Sequence, residues 1–131
     1  MPDTQTARIS KKKLWAGRII SALPVLLLLF SGVMKLLKPP SVMQGFAGYG
    51  YPESLIVIIG LLEIACTVVY AIPRTSILGA ILLTAYLGGA TATNVRVANP
   101  AFIMTTILGV LAWVGLFLRD DRLHALLPLR K

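Results

Sequence analysis

The chain has 131 residues, of which 56% are hydrophobic and only 14% are charged. Soluble domains carry roughly 25% charged residues, so too few polar side chains remain here to cover the surface of a soluble helical bundle. The net charge of +8 does not indicate a nucleic-acid binder, because the basic residues stand at the ends of apolar runs. The sequence therefore predicts an integral membrane protein.

Four apolar runs predict an all-α, four-helix transmembrane bundle that forms one domain over residues 1–131. Each run is close to the ~20 residues that a helix needs to cross about 30 Å of hydrocarbon. The predicted helices span about 15–37, 54–72, 75–95 and 101–118, and basic tails are predicted at 1–14 and 119–131.

The first apolar run follows a basic segment, as the core of a signal peptide would. It is longer than the usual 7–15 residues and has no A-x-A-like cleavage site after it, which favours a retained signal-anchor helix. The helix is expected to stop before Pro39 and Pro40, because proline lacks a backbone donor and disfavours the α conformation in the residue before it.

The distribution of Lys and Arg predicts the orientation of the helices. Ten of the thirteen basic residues fall on one side of the predicted membrane and three on the other. Short cytoplasmic loops carry the excess of positive charge, so both termini are expected in the cytoplasm. The three on the opposite side are Lys35, Lys38 and Arg96.

The connecting segments differ in their predicted structure. Residues 41–54, with Phe46, Tyr49 and Tyr51, are expected to form a half-embedded hairpin, since aromatic side chains favour the membrane–water interface. A tight turn at 72–74 predicts that the second and third helices are antiparallel neighbours. The C-terminal tail mixes charges, leucines and His124, as a short helix on the membrane surface does.

Each predicted helix carries one face of small or polar residues, spaced by three or four positions, which indicates contact with other helices. The faces are Ser21, Pro24, Leu28, Ser31 and Lys35 in the first helix; Glu53, Ile56, Gly60, Glu63, Thr67 and Tyr70 in the second; Ser76, Ala80, Thr84, Gly88, Thr91 and Ala92 in the third; and Thr105, Gly109 and Ala112 in the fourth. Gly88 and Gly89 are interpreted as close-packing residues.

Glu63 stands near the middle of the second helix, where an ionised carboxylate costs roughly 2.5–3.5 kcal/mol. Its candidate partners are Lys35 and Arg96, although both could instead extend outward as interfacial anchors. Three roles remain open for Glu63: structural contact between helices, lining of a small-molecule or quinone-type pocket, and proton relay. The candidate polar cluster is Lys35, Glu63, Tyr70, Thr84, Thr91, Asn94 and Arg96.

The remaining residue types limit the chemistry of the chain. One cysteine, Cys66, and one histidine, His124, form neither a disulfide nor the cluster of ligands that a metal or haem needs. Cys66 is therefore interpreted as a buried apolar side chain. Trp15, Tyr86 and Trp113 are interpreted as packing or interfacial residues. No catalytic motif, metal site or bound cofactor is predicted.

A set of short motifs resembles the DoxX-like family. These are SGVMKL at the end of the first helix, GYP in the connector, and LLEIACTVVYAIPRTSILGAILLTAYLGGATATNVR across the second and third helices. The matching positions are Gly32, Lys35, Glu63, Pro73, Arg74, Gly88, Gly89 and Arg96. Asn94 stands where the family pattern suggests a histidine, and an amide does not titrate near neutral pH.

The resemblance implies a small four-helix protein of the bacterial cytoplasmic (inner) membrane, associated by name with a quinol-linked respiratory complex. The function expected from it is a non-catalytic accessory protein or subunit, whose polar cluster binds a lipid-like ligand or a partner helix. The alternative is the membrane subunit of a quinone-linked oxidoreductase. The expected partners are the lipid bilayer and either a membrane complex or further copies of the chain, with no nucleic acid.

Overall fold

The computed structural model describes residues 11–126 and contains five α-helices in that range. They are α1 (Lys11–Leu37), α2 (Pro40–Tyr49), α3 (Ser54–Ala71), α4 (Ser76–Arg96) and α5 (Ala101–Arg119), with 3-10 turns at Pro73–Thr75 and Asp121–Ala125. The long helices α1, α3, α4 and α5 are each apolar and long enough to cross a membrane. The predicted all-α membrane bundle is confirmed.

The four long helices form a ring in which each packs against two others. Helix α1 contacts α3 and α5, and α4 contacts the same two helices from the other side. Because successive helices alternate in direction, the bundle has two distinct ends. The termini end holds the start of α1 and the end of α5, and the connector end holds the end of α1, helix α2 and the start of α3.

Two boundaries differ from the sequence prediction. Helix α1 is already formed at Lys11, the first described residue, ahead of the apolar run, because lysine has a good helix propensity and continues the helix beyond the membrane-spanning segment. The connector contains the ten-residue helix α2 where a hairpin was expected. Pro40 occupies its first turn, where proline is tolerated, and Gly50 ends it with φ of +82°.

Glycine sets the helix spacing at three of the four contacts in the ring. A Cβ atom at Gly17 would lie 2.8 Å from the carbonyl oxygen of Gly115, and one at Gly60 would lie 3.0 Å from that of Gly32. A Cβ at Gly79 would lie 2.2 Å from the backbone of Tyr70. The backbones therefore approach one another without intervening side chains, as is common in membrane bundles.

The predicted inward faces are confirmed for α3, where Gly60, Glu63, Thr67 and Tyr70 are all buried. In α4 the predicted ridge is correct only at its start. Ser76 and Ala80 are buried, whereas Thr84, Gly88 and Ala92 are exposed. Steps of four drift about 40° per step around a helix with 3.6 residues per turn. The buried face continues instead through Leu83, Leu87 and Asn94.

The close-packing interpretation of Gly88 and Gly89 is wrong within this chain. Among residues 11–126, no atom outside the adjacent helix backbone lies within 4 Å of a Cβ built at either position. Cys66, by contrast, is buried at 5% exposure as predicted, and it packs in the core with Leu28, Tyr70 and Leu83.

Candidate functional site

An ion pair between α1 and α3 lies in the connector half of the bundle. Lys35 Nζ is 2.7 Å from Glu63 Oε1, and the two side chains are 14% and 2% exposed. Lys35 also donates to Ser31 Oγ at 2.7 Å. The hydroxyl of Tyr86, on α4, donates to the same Glu63 Oε1 at 3.0 Å. One carboxylate oxygen thus joins three helices.

The close approach of α1 and α3 brings this pair together. A Cβ atom at Gly60 would lie 2.8 Å from Lys35 Cβ, so the absence of a side chain there lets the base of Lys35 rest against α3. The ammonium then extends toward Glu63, one turn further along α3. The cost of a carboxylate at membrane depth is offset by a charge-assisted hydrogen bond from the ammonium.

The pair retains hydrogen-bonding capacity. Within residues 11–126, Glu63 Oε2 accepts no hydrogen bond, since the contacts from both Lys35 and Tyr86 end on Oε1. An ammonium has three N–H donors, and Lys35 directs two of them to Ser31 and Glu63. A polar group placed beside the pair could therefore accept one hydrogen bond and donate another.

A cleft adjoins the pair on the side of helix α2, and we call it the connector cleft. Its volume is about 370 Å³. Apolar side chains form most of its wall, and Lys35 and Ser31 supply polar groups from α1. The lining residues are Phe30, Ser31, Met34, Lys35, Val42, Gly45, Phe46 and Tyr49.

Hydrogen bonds from α4 hold helix α2 at the connector end. Tyr49 donates from its hydroxyl to Asn94 Oδ1 at 2.7 Å, and Arg96 donates to the carbonyl oxygen of Tyr49. The hydroxyls of Tyr51 and Thr93 lie 2.8 Å apart. Asn94 and Arg96 therefore position the outer wall of the connector cleft and do not contact Glu63.

The seven predicted site residues lie in separate parts of the bundle. Lys35 and Glu63 are in contact, and Asn94 and Arg96 hold α2 beside them. Thr84 instead accepts a hydrogen bond from Trp113 Nε1 at 2.6 Å, and Thr91 bonds Thr105 at 2.7 Å between α4 and α5. Both are contacts between helices.

Tyr70 lies in a second polar cluster, at the termini end. Its hydroxyl donates to the carbonyl oxygen of Ala112 at 2.6 Å and lies within hydrogen-bond distance of Ser21 Oγ, at 3.0 Å. The guanidinium of Arg119 lies 5.0 Å from the centre of the Tyr70 ring. It also donates to Ser21 at 3.0 Å and to Ser76 at 3.3 Å.

Sequence reasoning missed several residues of both clusters. Tyr86 was interpreted as a packing or interfacial residue, yet it bonds Glu63 directly. No signal in the sequence indicated this contact, because the burial of Leu83 and Leu87 on the same face as Tyr86 is visible only in the structure. Arg119 was placed in the basic tail, although it forms the last turn of α5. In the described part of the chain, no three His, Cys, Asp or Glu side chains group as metal ligands would.

Comparison with known protein families identifies the family of this chain. The model of the DoxX-like family matches residues 19–115, which is most of the chain. The chain belongs to the DoxX-like family. No curated protein and no solved structure matches it. The matched segment of this DoxX-like protein contains Lys35, Glu63, Asn94 and Arg96, and hence both the ion pair and the residues that hold α2 beside it.

Proposed function

We propose that this DoxX-like protein is a non-catalytic accessory protein or subunit of a membrane complex, and that its connector cleft binds the polar head of a lipid-like ligand. The observation that carries the proposal is the half-satisfied ion pair beside an apolar cleft. A ligand that presents one hydrogen-bond acceptor could accept from Lys35, which lines the cleft, while its apolar part lies along the membrane-facing wall.

The wall of the cleft suits an amphiphile. Phe30 is 66% exposed on the membrane-facing surface of α1, whereas Phe46, on α2, is buried. The cleft therefore passes from surface that lipid tails would cover to a polar group near the ion pair. Binding sites for small molecules are commonly apolar, with a few converging polar groups.

A quinone head group also fits this cleft, since its carbonyl oxygen would accept a hydrogen bond from Lys35. Bound quinone would supply redox chemistry, and the residues of the cleft would bind and orient the ring. Glu63 already accepts hydrogen bonds from Lys35 and Tyr86. For this reason we propose that the site binds a ligand and does not relay protons. Identification of the bound molecule would distinguish a lipid-binding accessory protein from a quinone-linked subunit.

The experiment fills the cleft without disturbing the ion pair. No atom lies within 4 Å of a Cβ at Gly45 or at Gly48, but only Gly45 lines the cleft. The G45L variant should therefore occlude the cleft, and G48L is its matched control on the same helix. Lipid mass spectrometry of each protein, purified in mild detergent, should show a bound amphiphile in the wild type and in G48L, and its loss in G45L.

The outcome that contradicts the proposal is equal occupancy by the same molecules in G45L and the wild type. A quinone among the molecules lost in G45L would move the protein to the quinone-linked class. Size-exclusion profiles of the three proteins in detergent control for misfolding, because a Leu on an exposed face of α2 should not alter the folded bundle.

We also propose that the protein lies in the bacterial inner membrane with both termini in the cytoplasm. The support is the ten-to-three distribution of Lys and Arg together with the positive-inside tendency of short loops. A reporter active only in the periplasm should give a signal when fused after Gly50 and none when fused after Lys131. The reverse pattern would overturn this orientation.

A further inference from the structure

A second cleft opens at the termini end, on the opposite side of the bundle from the connector cleft, and we call it the termini cleft. Its volume is about 200 Å³. It lies where α1, the turn before α4 and the end of α5 meet. The lining residues are Leu14, Arg18, Pro73, Ser76, Leu116, Arg119 and Asp120. Two arginine side chains thus line one small cleft.

Neutral groups hold the Arg119 guanidinium in place. It donates to Ser21 Oγ and Ser76 Oγ and lies over the ring of Tyr70. Among residues 11–126, no carboxylate oxygen lies within 4.0 Å of its nitrogens. A guanidinium has five N–H donors, and two of them are used in these contacts. The fold therefore positions the charge of Arg119 without a direct ion pair to an acidic side chain among residues 11–126.

Arg18 supplies the second positive charge. Its guanidinium lies 5.1 Å from the centre of the Trp15 ring, and within the described residues it makes no ion pair. Trp15 is 57% exposed. A tryptophan with an adjacent arginine is typical of the membrane–water interface, which places the mouth of the cleft at the depth of the lipid head groups.

The one carboxylate that lines the cleft is already neutralised. Asp120 receives two hydrogen bonds from the Arg122 side chain, at 3.0 and 2.8 Å, and one from the Arg122 backbone at 3.1 Å. These contacts with Arg122 hold the pKa of Asp120 below its usual value. Asp120 thus pairs with Arg122 and also interacts with the charge of Arg119, and the described lining residues carry two arginines against this one carboxylate.

We propose that the termini cleft binds the phosphate group of an anionic phospholipid. Guanidinium groups match phosphate oxygens in pairs of parallel hydrogen bonds, and the two arginines can approach one phosphate from α1 and α5. The interfacial depth of Trp15 and Arg18 favours a lipid as the source of that phosphate over a soluble ion. Arg18 and Arg119 both lie outside residues 19–115, so membership of the DoxX-like family assigns them no role.

The test compares two single-charge changes at the same end of the bundle. The variant R18Q removes a guanidinium from the cleft, and the control R74Q removes one from an exposed position in the turn that does not line it. Native mass spectrometry of the delipidated full-length chain, titrated with phosphatidylglycerol, should show about a tenfold weaker affinity for R18Q. R74Q should lose clearly less, because it contributes only to the general attraction of a basic surface.

Three further measurements make the result decisive. Phosphatidylcholine of equal chain length has the same phosphodiester but a cationic head group, so it should bind more weakly than phosphatidylglycerol to the wild type. R119K keeps the charge but not the planar fork, so it should also weaken phosphatidylglycerol binding. Equal losses for R18Q and R74Q would overturn the proposal, and inorganic phosphate that stabilises the protein as well as the lipid does would overturn the lipid as its source.

Discussion

The ammonium of Lys35 lies 2.7 Å from Oε1 of Glu63 and joins α1 to α3 in the connector half of the bundle. Glu63 is almost fully buried, whereas Lys35 stands near the end of its helix and retains some exposure. The two partners therefore differ in what they can do when the other is removed. Lysine can extend its chain to the membrane–water interface, but the shorter side chain of the buried Glu63 cannot reach water.

This asymmetry predicts unequal effects of breaking the pair. K35M should lower the free energy of unfolding in detergent by about 3 kcal/mol, since removal of one partner leaves a buried charge uncompensated. E63Q should cost less, because Gln still accepts from Tyr86 and Lys35 can turn outward. Thermal unfolding of both variants measures the difference, and K38M is the control for loss of a lysine from a surface pair.

A double-mutant cycle tests the coupling directly. In an E63Q background, K35M should cost much less than it does in the wild type, because no buried charge remains to be compensated. If K35M costs the same in both backgrounds, the ion pair does not stabilise the bundle and its geometry has another purpose.

Glycine positions provide a second prediction, in which two substitutions of the same kind give opposite results. In G79A the new methyl would meet the backbone of Tyr70, which cannot move without separating α3 and α4, so a loss of about 3 kcal/mol or more is expected. In G88A nothing stands in the way, and the better helix propensity of alanine should leave stability unchanged or raise it by up to about 1 kcal/mol. Melting temperatures in detergent compare the two.

An unexpected result at Gly88 would itself be informative. Should G88A lower the melting temperature or alter the elution volume of the purified protein, a surface from outside this chain must pack on that face of α4. Gly88 would then be exposed in the single chain and buried in a larger assembly.

The Tyr70 hydroxyl provides a third prediction. It joins α3 to the carbonyl oxygen of Ala112 and to Ser21, and the residue has no exposed surface. Y70F should therefore destabilise the protein by about 1–2 kcal/mol, as expected when buried hydrogen-bond partners lose a donor. Y51F, which removes a half-buried hydroxyl from the connector, should cost less. Equal melting temperatures for Y70F and the wild type would contradict this role.

Asp120 predicts a pH dependence outside the spanning segments. Arg122 lowers the pKa of Asp120 from its ordinary 3.8 in the folded protein, so the ionised carboxylate stabilises the fold. That contribution is complete above the pKa of the unfolded chain and is lost as the pH falls through the lower pKa of the folded state. Since Arg122 is largely exposed, solvent screening keeps the effect small.

The variant D120N isolates that contribution. Its melting temperature should fall less than that of the wild type when the pH is lowered below 3.8, and the two should differ most at neutral pH. E53Q is the control, because the Glu53 side chain is 59% exposed and its carboxylate oxygen lies 3.9 Å from Lys38 Nζ in a surface pair. Parallel acid profiles for D120N and the wild type would show that Asp120 does not contribute.

The sequence predicted the bundle well because membrane helices are marked by length and apolarity, and both are visible in one chain. It also placed Glu63 correctly inward, since a charged residue within a span has strong reasons to avoid lipid. It failed along α4, where Leu83 and Leu87 form the buried face. Leucine is as apolar as the lipid tails, so composition cannot distinguish a leucine that faces a helix from one that faces the membrane.

The candidate site was predicted in part. Lys35 and Glu63 were identified as possible partners, because few cations are available to a buried carboxylate. Their separation from Tyr70, Thr84 and Thr91 depends on depth along the bundle and on helix rotation, which three- and four-residue spacing does not determine. Helix α2 was missed because Gly, Tyr and Pro indicate turns in general, whereas here Pro40 and Gly50 begin and end a helix.

The glycine contacts at Gly17, Gly60 and Gly79 have a consequence for how this protein tolerates mutation. In a soluble core the large side chains are the sensitive positions, because truncation leaves a void. Here the smallest residues set the distances between helices, so enlargement at a few glycines should be more damaging than truncation of many leucines. A saturation library would therefore show an inverted profile, with its most restricted positions where the side chain is a single hydrogen atom.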